Sequence, residues 1–162
     1  MPHEFNGSTL YAGVSFYSSP STAPGPNGGT TLAFWFTTTL SGNQQLITSY
    51  NLSNPGTRFC RHSITSGALS TSMQGSTGSA TFSHGSISTN TWYCAVIRLV
   101  GMTSRNMWLS GQSSATSNTS TVIYSGATAS QNRMSFAGTN AGASFSGKLA
   151  HVTVWAGILT DA

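Results

Sequence analysis

Apolar and polar residues alternate with a period of two along much of the chain, in runs rich in Phe, Tyr, Trp, Val, Ile and Thr. Such runs recur about every 10–15 residues and are separated by Gly, Ser, Asn and Pro. Successive side chains of a strand project to opposite faces of a sheet, so this pattern predicts antiparallel β-structure with one face of each sheet turned to a core. Strands are predicted over Thr9–Ser18, Thr30–Thr39, Gln45–Asn51, Gly56–Ile64, Ala68–Met73, Ala80–His84, Thr91–Val100, Arg105–Ser110, Thr121–Tyr124, Arg133–Ala137 and Lys148–Trp155. No segment sustains a helical apolar repeat over three turns, and the one helical expectation is a short terminal turn at Ile158–Ala162 capped by Thr160. The Pro-rich stretch Ser18–Gly29 and the Ser/Thr/Asn tract Gly111–Ser120 are expected to be surface loops, not domain boundaries. The 162 residues suit a single domain, 1–162, around one core.

Composition sharpens this picture mainly by exclusion. Only 5% of the chain is charged, where an ordinary soluble domain carries about 25%. Glu4 and Asp161 are the only carboxylates, so no acidic side chain lies between Phe5 and Thr160. Glycoside hydrolysis normally uses paired Asp/Glu, hydrolase triads orient their His with a carboxylate, and calcium sites lean on carboxylate oxygens. The chain is therefore expected to be no enzyme, to bind no metal and to need no cofactor. With 28 Ser, 23 Thr and 18 Gly, its polar surface is neutral and hydroxyl-rich. The net charge of +4 reflects missing acids, and the six bases (Arg58, Arg61, Arg98, Arg105, Arg133, Lys148) are scattered. Nucleic-acid binders cluster such bases on one face, so no nucleic-acid partner is expected. No run of about 18 apolar residues is present to span a membrane, and the opening MPHEFNGSTL lacks the basic start and apolar stretch of a signal peptide.

Four segments, in order, resemble the laminin-G-like and pentraxin-like jelly rolls of the concanavalin-A-like lectin/glucanase superfamily. FNGSTLYAGV is similar to the family's opening turn and first strand. TTLAFWFTTTLSGNQQLITSYN is similar to its apolar strand, polar turn and next strand. NTWYCAVIRLVGMTSRNMWLSGQ and NRMSFAGTNAGASFSGKLAHVTVWAGILTDA resemble its later hairpin and closing pair. The resemblance implies an all-β fold, a two-sheet antiparallel jelly-roll β-sandwich with little or no helix. Relatives bind sugars or protein partners on the concave face and rim loops. The calcium-binding relatives carry acids before the last strand, where this chain has Ala150 and His151, and the glucanases carry clustered carboxylates that are missing here. Pentraxin-like relatives also place a cysteine near the position of Cys94, which raises a disulfide between Cys60 and Cys94; two buried free thiols are the competing reading.

Among the aromatic residues, Trp35, Trp92 and Trp155 stand where the family buries a ring and are expected in the core. Trp108 alternates with Met107 and Leu109, so it faces outward if those two face the core, and inward otherwise. An exposed ring beside the Ser110–Gly111 turn suits stacking on a sugar, with Arg105, Tyr124 and Asn140 as expected rim neighbours. Cys60, His62 and His84 lack the spacing of a zinc site. These features lead to the expectation of a surface-displayed recognition or decoration module without catalysis, virion-associated as a phage capsid decoration or fibre protein. Its expected partners are a glycan or surface polysaccharide, capsid or other virion proteins and further copies of itself, and its expected location is the virion surface or the extracellular space. A free carbohydrate-binding lectin or adhesion module is the alternative.

Overall fold

The computed structural model describes residues 3–6, 12–16, 29–51, 59–74, 78–100, 104–119, 132–136 and 145–159. These residues form twelve strands: β1 (His3–Asn6), β2 (Ala12–Phe16), β3 (Thr30–Thr38), β4 (Gln44–Asn51), β5 (Phe59–Thr65), β6 (Ala68–Gln74), β7 (Ser79–His84), β8 (Tyr93–Leu99), β9 (Arg105–Leu109), β10 (Thr116–Asn118), β11 (Asn132–Phe136) and β12 (Ser146–Ala156). They pair into two antiparallel six-stranded sheets, ordered β1-β12-β3-β8-β9-β10 and β2-β11-β4-β5-β6-β7. This is the expected two-sheet sandwich. Two strands escaped the pattern: β1, and β10, which lies inside the polar tract read as a loop and pairs Thr116 with Met107 at a sheet edge. The predicted strand Thr121–Tyr124 lies outside the described residues, as does most of the terminal turn.

The core follows from alternation. On β3, Leu32, Phe34 and Phe36 turn inward and are buried, and register places them opposite Ile97, Ala95 and Tyr93 of β8. Met107 and Leu109 of β9 continue the same layer opposite Ile97 and Ala95. The second sheet contributes Ile47, Cys60, Ile64, Leu69, Met73 and Phe82. Phe36 packs between Phe34, whose ring is tilted to it, and Tyr93, which stacks on it, with ring centroids 5.7 Å from each. Each such side chain removed from water stabilises the fold by roughly 1.5–3 kcal/mol.

Two irregularities change which residues face the core. In β4 the register shifts between Gln45 and Ile47, so Leu46 and Ile47 are both buried. In β12 it shifts between Ala150 and Thr153, with His151 at a positive φ of 51°. The inserted residue reverses the alternation, as a bulge does: Phe145 and Leu149 face the core before it, whereas Val152 and Val154 pack inward after it. Trp155 is thereby turned away from the core.

The two cysteines do not bridge. Cys60 points inward from the second sheet, Cys94 sits half-buried on the far side of the first, and neither is in a disulfide. Burial pushes the Cys60 thiol up to about 12 and raises that of Cys94 as well. Because the thiolate is the reactive form, a thiol reagent should label the native protein slowly and only at Cys94, with Cys60 reacting on unfolding. Mass spectrometry of the labelled protein checks this, and equal native labelling of both would contradict the placement.

Candidate functional site

The face of the first sheet that points away from the core carries the residues that alternate with the inward ones: Thr31, Ala33, Trp35 and Thr37 of β3, Cys94, Val96 and Arg98 of β8, and Asn106 and Trp108 of β9. Register aligns them into rows. Trp155, Thr31, Arg98 and Asn106 form one; Thr153, Ala33, Val96 and Trp108 the next; Ala150, Trp35 and Cys94 the third. The Asn90 N–H donates to the Thr38 carbonyl at 2.7 Å, which holds the segment before β8 alongside β3. Tyr93 turns inward on to Phe36, so the preceding Trp92 points outward.

All four tryptophans of the chain therefore belong to one face. Trp35, Trp92 and Trp155 are 43%, 42% and 36% exposed, which corrects their expected burial in the core. The cause differs in each: Trp35 lies between the inward Phe34 and Phe36, Trp92 precedes the inward Tyr93, and the β12 bulge rotates Trp155 outward. Trp108 also faces outward, because Met107 and Leu109 are buried, but it is only half-exposed. The Arg98 guanidinium carbon lies 4.4 Å from the Trp108 ring centroid, within cation–π range. Arg98 Nη1 also donates to the Leu159 carbonyl at 2.9 Å. Thr31 Oγ1 donates to the Gly157 carbonyl and accepts from the Leu159 N–H, each at 3.0 Å, so the segment after β12 is tied to this end of the face.

Arg105, expected beside the Trp108 ring, does not join the face. Arg105 is not at the rim: it points inward from β9, is completely buried, and donates from Nη1 to Asn118 Oδ1 at 3.3 Å. Its odd position puts it in phase with Met107 and Leu109, the same alternation that turns Trp108 outward. Tyr124 and Asn140 lie outside the described residues. His62 is a core residue. Its Nδ1 lies 3.0 Å from Thr71 Oγ1 and its Nε2 3.8 Å from Cys60 Sγ, and burial lowers its pKa to about 3.

The second sheet's outer face has another character. Ser83 donates to Ser70 and Thr81 to Ser72, each at 3.1 Å, so hydroxyls there satisfy one another. The first sheet instead presents flat indoles over a floor of Ala33, Ala150, Val96 and Cys94. Such rings offer large, rigid apolar area with a polar N–H, suited to stacking on the C–H face of a sugar or on another apolar surface.

No protein-family model and no curated protein sequence matches the chain. Solved structures do resemble it. The CBM40 of the Ruminococcus gnavus IT-sialidase, bound to α2,3-sialyllactose, superposes with a TM-score of 0.74 at 16% identity, over 99% of this chain and 91% of that one. Domains LG4-5 of the mouse laminin α1 chain give 0.67 at 14% identity, over 96% of this chain but only 42% of that fragment. The native heptameric SAP-like pentraxin of Limulus polyphemus gives 0.64 at 15% identity, over 97% and 76%. All are concanavalin-A-like jelly rolls, and this chain has that fold.

Proposed function

We propose that the chain is a non-catalytic recognition module that holds carbohydrate against the tryptophan-bearing face of its first sheet. The observation that carries this reading is the exposure of three indoles on one face, above small side chains. Exposed tryptophans in such number are costly to leave in water and mark a surface built to be covered. The bound α2,3-sialyllactose of the Ruminococcus gnavus CBM40 adds support, since that module shares the fold across nearly its whole length. A glycan array probed with wild type, Trp35→Ala and a chelator-treated sample tests it. Binding insensitive to chelation and about tenfold or more weaker in Trp35→Ala is expected, the loss of one stacked ring being worth about 1.4 kcal/mol or more. Silence of a folded protein across the array would remove the glycan reading.

A second reading assigns the module to a virion surface, cemented to capsid proteins or to copies of itself. It draws on the low charge: with only 8 ionised Lys, Arg, Asp and Glu side chains in the chain, crowded copies repel one another little. Self-association by sedimentation, abolished by Trp35→Ala, would support that role; a monomer at all concentrations would count against self-assembly.

A further inference from the structure

We infer that the ligand of the tryptophan face is a linear, uncharged polysaccharide of β-linked hexopyranose units, gripped along its chain and not at its end. This rests on the glycan reading above and adds the shape of the ligand. The three open rings lie on three neighbouring strands. Trp155 is opposite Thr31, four residues before Trp35 on β3; Trp35 is opposite Cys94, two residues after Trp92. With about 3.4 Å per residue and about 4.8 Å between strands, the Cα atoms of Trp155 and Trp35 are about 14 Å apart and those of Trp35 and Trp92 about 8 Å. Both steps run in the same diagonal sense, one strand over and further along, so the three rings make a nearly straight row about 22 Å long. A single sugar ring covers one indole and cannot reach the next, whereas an extended chain meets all three.

The width of the row separates a polymer from a protein partner. Its apolar strip is about two strand spacings across, roughly 200 Å², against about 800 Å² from each side of a standard protein interface. A narrow occupant fits it and a second folded copy does not. Charge points the same way. Ala33 and Ala150 line the row, Lys148 at its margin is opposite Glu4 in register, and Arg98 is turned on to Trp108 and the Leu159 carbonyl. Among the described residues, the side chains lining the row are uncharged, with Lys148 at its margin, which matches a neutral ligand. Hexopyranoses with equatorial hydroxyls present only C–H groups on their ring faces, which complement the negative face of an indole. Trp108, covered by Arg98, is left off the track.

Calorimetric titration with two ladders, cellobiose to cellohexaose and the matching chito-oligosaccharides, tests this on the full chain. In at least one ladder, affinity should rise about tenfold or more from disaccharide to hexasaccharide and be unchanged by high salt. Trp92→Ala and Trp155→Ala should each flatten that rise; both are surface positions, and an unchanged thermal melt confirms folding. Equal affinity along a ladder, or binding that salt abolishes, overturns the linear neutral ligand and leaves the glycan reading standing. Failure of both ladders with a protein that binds other glycans on the array does the same. Absence of all glycan binding overturns both readings.

Discussion

Gly147→Ala should lose about 3 kcal/mol or more of folding stability, the sum of a positive-φ backbone and a steric overlap that cannot relax cheaply. Gly147 sits in β12 at φ +153°, where it passes close to β3. A Cβ there would come within 2.0 Å of the Thr37 carbonyl oxygen, 2.8 Å of Phe145 Cζ and 2.9 Å of Thr38 Cα. Two of these three neighbours are backbone, so relief requires the β3–β12 pairing itself to move. That pairing carries Trp35 opposite Ala150 and Trp155 opposite Thr31, so the damage reaches the ligand face as well. Gly111→Ala is the control: its φ of +81° is strained for a side chain, but nothing lies within 4 Å of the added atom. It should cost only about 1–2 kcal/mol. Urea denaturation of both variants checks the contrast, and a Gly147→Ala protein as stable as Gly111→Ala would refute the close approach.

Most of the sheet architecture was legible because the physics that makes a strand is local. Alternation in Ala80–His84 and Arg105–Leu109 appears in the structure as alternating burial, residue by residue. What stayed hidden depends on the rest of the fold. β10 has no apolar residue of its own and exists because β9 offers it a free edge. The bulges of β4 and β12 leave no local signal apart from a break in phase, yet they decide which residues on either side are inside.

At the site, Trp35, Trp92 and Trp155 were misread, and for Trp108 the alternation by itself left both orientations open. The alternation that turns Trp108 outward applies equally to Trp35, flanked by Phe34 and Phe36, but the family resemblance placed that ring in the core. Hydrophobicity ranks side chains by what burial would gain, whereas strand phase fixes which side they occupy; where the two conflict, phase wins, because a one-residue slip would expose Phe34 and Phe36 together. Arg105 shows the converse. It was expected at the rim beside Trp108, but phase places it inside, where desolvation lowers its pKa and proximity to Cys60 raises it in part.

Acid should destabilise this protein through histidine, with carboxylates playing little part. Ordinary acid unfolding is driven by protonating paired carboxylates, and this chain has only Glu4 and Asp161, near its ends. His62 is the main alternative. It lies between the sheets, 4% exposed, with the Phe34 ring 6.4 Å away. Thr71 Oγ1 donates to Met107 Sδ at 3.6 Å, so it accepts from His62 Nδ1–H, and His62 Nε2 is left to accept from the Cys60 thiol. That chain of donors requires neutral imidazole, and burial brings the His62 pKa down from 6.5 to about 3. The unfolded chain takes up the proton near 6.5 and the folded one does not, so the stabilisation is complete above about pH 6.5 and is lost progressively as pH falls towards 3. One proton corresponds to a slope of up to about 1.4 kcal/mol per pH unit. His84, whose pKa burial also lowers, adds in the same direction. Thermal melts from pH 7 to pH 4 should show a steady fall in Tm for wild type and a distinctly shallower one for His62→Gln, which keeps hydrogen-bonding capacity but cannot titrate. Parallel curves for the two proteins would mean that His62 is not the group through which acid acts.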